Sequence, residues 1–130
     1  MANKRDTKLT LADLIAKKAA KEESSKNKTT SIYVKSLDGE LEIEVPNRKI
    51  IYQVIDMTGE SMESKMYANA YLVYHSVKLF RQPEMIEGKS DPVDIVFDML
   101  EPYEIGEIQS KIMELSGFVK PEETFEELKN

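Results

Sequence analysis

Apolar and polar residues alternate along 32–45, and the dipeptide Asp38-Gly39 divides the alternation into two runs. This pattern predicts a β-hairpin closed by a two-residue type I′ turn. Such a turn sets Val34 opposite Ile43, Lys35 opposite Glu42 and Ile32 opposite Val45. Ile32, Val34, Leu41, Ile43 and Val45 then share one face, which must rest on helices because a lone hairpin is marginal in water.

Elsewhere the apolar residues recur at helical spacing. Asn47 can cap a helix over about 47–58 whose stripe is Ile50, Ile51, Val54 and Ile55, stopped by Gly59. Ser61 can cap the longest helix, 62–80, which ends before Pro83. Asp91 and Pro92 open a helix over about 92–101 that buries Ile95, Val96, Met99 and Leu100. After the corner at Glu101-Pro102, a last helix over about 103–116 carries Ile105, Ile108, Ile112 and Leu115, and Gly117-Phe118 marks a left-handed C-cap. Near the start, Thr10 and Asp13 suit the first turn of a helix over about 11–21, with Leu9 placed to pack on Leu14. Its apolar side, Leu11, Leu14 and Ile15, is too small to hold a lone helix, so it must dock on the body or on a neighbour.

The expected fold is mainly α with one β-hairpin (α+β): about four helices bundled with the hairpin. A basic arm and polar linker over 1–30 precede a globular domain over 31–118, and an acidic tail follows over 119–130.

The 62–80 helix is apolar nearly all round. Sorted at 100° per residue, Met62, Met66, Ala70, Val73, Val77 and Phe80 form one stripe, and Tyr67, Tyr71 and Tyr74 form a ridge beside it. Ala68, Leu72 and Leu79 lie on a third side with His75. A central helix wrapped by the others explains most of this. The tyrosine ridge is the candidate partner surface, because tyrosine brings large area with a polar tip.

The 130 residues carry a formal charge of −6 that is unevenly spread. Residues 1–31 hold eight Lys/Arg against four acids, and the remaining ten basic groups face twenty acids. An acidic body repels nucleic acid, and the basic arm lacks interleaved aromatics. The absence of cysteine from the sequence removes disulfides and thiolate chemistry and suits a reducing cytoplasm. Neither a signal peptide nor a membrane span is expected.

Catalytic patterns are scarce. His75 has no second histidine to share a metal, Asp94 and Asp98 lack a calcium loop, and Ser25-Lys26-Asn27-Lys28 matches S-x-x-K only by chance in a polar stretch. No phosphate-binding loop, nucleophile elbow or zinc-helix motif is present in the sequence. The sequence therefore predicts no catalytic, cofactor or metal site. It predicts a binding protein, with Tyr67, Tyr71, Tyr74, Leu11, Leu14 and Ile15 as candidate contacts.

Several strings resemble the XkdN-like tail assembly chaperones of phages and phage-derived particles. They are Leu9 to Ile15, the hairpin running into Pro46-Asn47-Arg48-Lys49, Ala70 to Tyr74, and Glu101 to Ile108 closing at Leu115-Ser116-Gly117-Phe118. The resemblance implies a factor of the bacterial host cytoplasm, absent from the mature virion, that binds the tape measure protein and promotes assembly of tail tube protein around it. Self-association suits a basic arm facing an acidic body, giving a homo-oligomer. A small cytoplasmic regulatory adaptor is the alternative that composition allows.

Overall fold

The computed structural model describes residues 7–25 and 28–119. Expectations for residues 1–6, for the S-x-x-K stretch at 26–27 and for the tail from 120 onward lie outside these. The elements are α1 (Leu11–Ser25), β1 (Thr29–Val34), β2 (Gly39–Glu44), α2 (Arg48–Met57), α3 (Met62–Ser76), α4 (Pro83–Ile86), α5 (Asp94–Met99) and α6 (Pro102–Leu115). This is the expected α+β class, mainly helical with one antiparallel hairpin.

The hairpin register differs from the predicted one. Val34 stands opposite Gly39 and Ile32 opposite Leu41, a slip of four residues along β2. Lys35–Leu37 wind into a 3₁₀ turn, the Asp38 N–H donates to the Lys35 carbonyl at 3.2 Å, and Asp38 takes the left-handed φ of 51°. Aspartate tolerates that conformation because its short polar side chain bonds locally, here accepting the Tyr33 hydroxyl at 2.9 Å. An even slip leaves every side chain on its face, so Val34, Leu41 and Ile43 still enter the core. The ladder instead recruits Thr29, Thr30 and Ser31, residues expected in or beside the linker.

α3 is the centre of the molecule, packed against α2, α5 and α6. Its buried arc joins two of the predicted sides: Ala70 and Val73 with Ala68, Leu72 and Ser76. Ile51 and Val54 of α2, Ile95 and Val96 of α5, Ile105, Ile108 and Ile112 of α6, and the hairpin close around it. Ile55, expected in the α2 stripe, is 49% exposed, so the buried side of α2 narrows to Ile51 and Val54.

The predicted 62–80 helix stops at Ser76. The Ser76 hydroxyl donates to the Leu72 carbonyl at 2.8 Å, a bond that weakens a helix end, and Val77 is extended at φ −112°. Arg81 then turns back to donate to the Tyr74 carbonyl at 2.9 Å and pairs with Glu44 of β2 at 3.2 Å. A 3₁₀ turn over Lys78–Arg81 buries Phe80 and leaves Leu79 exposed, and α4 follows unpredicted. The last two helices sit close to expectation, although α5 is shorter than 92–101 and is held at its start by Asp91, which accepts the Val93 N–H at 3.0 Å.

α6 ends as predicted. Gly117 takes φ +84°, and the Phe118 N–H donates to the Met113 carbonyl at 3.0 Å. A Cβ at Gly117 would meet nothing within 4 Å, so the cost of Gly117→Ala is purely that of a left-handed backbone. It should destabilise by about 1 kcal/mol in urea unfolding, with an unchanged m-value.

Candidate functional site

Among the described residues, three surfaces bear on the candidate contacts. The first is a groove of about 560 Å³ between the end of α2, the start of α3 and α5. Ser61 caps α3 by accepting the Ser64 N–H at 3.1 Å, which fixes the short connection from α2. Gly59 makes that connection possible by close approach, since a Cβ there would lie 2.8 Å from the Ser64 hydroxyl. The expected stop signal at Gly59 thus acts through space, not through a left-handed backbone, and the turn itself comes at Thr58.

Met57, Met66, Tyr67 and Phe97 give the groove its apolar lining, and Glu63 and Asp94 stand on it as acids. The Tyr67 hydroxyl donates to Asp91 at 2.8 Å, tying α3 to the start of α5 and setting the groove's width. The same carboxylate, with some burial, pushes the Tyr67 phenol up to about 12. Methionine and aromatic side chains adapt to irregular apolar shapes, and acids on the lining favour a basic occupant.

The tyrosine ridge is the outer side of α3. All three tyrosines are half-buried and packed against the core. Tyr67 is committed to Asp91, and the Tyr71 hydroxyl donates to Gln53 of α2 at 3.1 Å. Tyr71 and Tyr74 flank His75, with ring centroids 4.5 and 5.2 Å from its imidazole. Burial first, and then the charge of Arg81, hold the His75 pKa below its ordinary value, so it sits among the rings as a neutral group.

The third surface is α1. Thr10 and Asp13 form a reciprocal capping box: the Asp13 N–H donates to the Thr10 hydroxyl at 3.2 Å and the Thr10 N–H to the Asp13 carboxylate at 2.9 Å. Leu11, Leu14 and Ile15 are 74%, 51% and 60% exposed. Every side chain described in this helix is exposed.

Elsewhere several charged groups have structural partners. Asp98 pairs with Lys89, and Glu44 with Arg81. Glu104 is only 3% exposed and holds the hairpin loop, accepting the Ser36 hydroxyl at 2.6 Å, the Ser36 N–H at 3.1 Å and the Glu101 N–H at 2.9 Å. Among the described residues no three His, Asp or Glu side chains gather as a metal site, and no helix is long and apolar enough to cross a membrane.

Sequence reasoning passed over Met57, Phe97 and Glu104. Met57 and Phe97 lie off the core stripes of their helices, and such leftover apolar residues were the available signal. Glu104 was visible as an acid at the third position after a Pro-initiated helix start. No family model, curated protein or solved structure matches the chain.

Proposed function

We propose that this chain is a non-enzymatic assembly chaperone that binds an amphipathic helix of its client in the groove between α2, α3 and α5. The observation that carries this reading is the lining itself: two methionines and two aromatics form an adaptable apolar trough with Glu63 and Asp94 beside it. Such a trough accepts many related helices, as a holdase must. The client is the tape measure protein of a phage or phage-derived tail, with the tail tube protein assembling around it. These partners, and action in the host cytoplasm before the virion is complete, rest on the resemblance of the strings quoted above.

Co-expression with a phage tape measure protein tests this. The wild-type chain should carry that protein into the soluble fraction. Phe97→Glu puts a like charge beside Asp94 and removes an anchor, and should weaken client binding about tenfold or more while leaving the fold intact. A client equally soluble without the chain would overturn the proposal, and indifference to Phe97→Glu would overturn the groove.

A further inference from the structure

We infer that the groove between α2, α3 and α5 also receives α1 of a second copy of this chain, so that the free protein self-associates arm to groove. This rests on the groove being a helix-binding site and not on which client it serves.

The first ground is that α1 is incomplete. A helix of its length is marginal in water without tertiary burial, yet Leu11, Leu14 and Ile15 are all exposed. The capping box and the Lys18–Glu22 pair at 4.0 Å hold its conformation, but they hide no apolar surface. A preformed helix with an uncovered apolar face is a ligand lacking its site.

The second ground is match. The apolar face of α1 is three residues on a single turn, and a groove of about 560 Å³ takes a few side chains. Lys18 and Lys21 follow on the same side of the helix as Leu14, spaced by three and four residues. With the leucines and Ile15 among Met57, Met66 and Phe97, these lysines meet Glu63 and Asp94. Lys8, just before the helix, adds a further positive charge against an acidic body. Because each copy offers one arm and one groove, the contact is head-to-tail and can extend beyond a dimer. A client helix would compete with α1, so self-association covers the groove until a client arrives.

The chain has no native cysteine, so crosslinking reads the contact directly. One chain carries Leu14→Cys and a second carries Met62→Cys, both at exposed positions, the latter at the turn beside Met66. Mixed and treated with a short bismaleimide, they should give a mixed dimer as the main product. Lys18→Glu with Lys21→Glu on the first chain should cut that product several-fold, and Glu63→Lys with Asp94→Lys on the second should restore it. A full chain carrying both cysteines that crosslinks only to itself would assign the groove to its own arm and overturn the inference. So would the absence of mixed dimer, or a yield indifferent to charge reversal. No client is present in any arm, so these outcomes leave the chaperone reading to its own test.

Discussion

Glu104→Ala is expected to lower the melting temperature of the chain by about 10–15 °C, which corresponds to about 3 kcal/mol for a domain of this size. Glu104 is the one buried carboxylate among the described residues, and its two oxygens take three donors from two elements that are far apart in sequence. Two come from Ser36 in the hairpin loop, and the third is the Glu101 N–H at the start of α6. Hydrogen bonds to a charged acceptor contribute about 1.5–3 kcal/mol each, and removing the acceptor leaves its donors unpaired. Ser36 is exposed and recovers part of this loss from water, which is why the expected value is well below the sum.

The same site gives a pH signature. The Ser36 hydroxyl, more than any other group, holds the Glu104 pKa below its ordinary value of 4.5. A carboxylate whose folded pKa is depressed contributes stability that is full above the unfolded value and is lost as pH falls through the folded one. Glu104→Gln should therefore be less stable than wild type at neutral pH, and the gap should close as pH falls below about 4.5. A gap that stays constant down to pH 3 would mean that Glu104 acts by shape and not by charge.

The hairpin shows why some of this was legible in the sequence and some was not. Its inward face could be read from alternation alone, because the slip from Ile43 to Gly39 opposite Val34 is even and preserves that face. Its register could not. Asp38-Gly39 is a strong local turn signal, but Glu104 draws Ser36 out of the ladder from 68 residues away, and a local rule has no access to that bond. The break in the long helix likewise has a non-local partner: Arg81, just past it, donates to the Tyr74 carbonyl and pairs with Glu44 of β2, a bond no local rule can read. Caps were legible because both partners lie within one turn, as at Thr10, Asn47 and Ser61. The groove was not, since Met57, Met66 and Phe97 belong to three helices and meet only through the angles at which those helices pack.

The combined replacement Tyr67→Ser, Tyr71→Ser, Tyr74→Ser is expected to abolish the cooperative thermal transition. Each ring is half-buried against the core, so truncating the three removes about 5 kcal/mol of packing, the whole stability of a marginal domain. Loss of partner binding in that variant would report unfolding. The informative set is the three single Tyr→Phe changes, which keep the ring and remove only the hydroxyl. Tyr67→Phe should cost about 1 kcal/mol, because it breaks the bond to Asp91, and should abolish the tyrosine ionisation near 12 in an ultraviolet pH titration. Tyr71→Phe and Tyr74→Phe should leave stability within about 0.5 kcal/mol, since the Tyr71 bond to Gln53 is exposed. Any loss of partner binding in these two then belongs to the surface. A triple serine variant that still melted cooperatively near the wild-type temperature would reverse the assignment, making the ridge a free docking face that the core does not need.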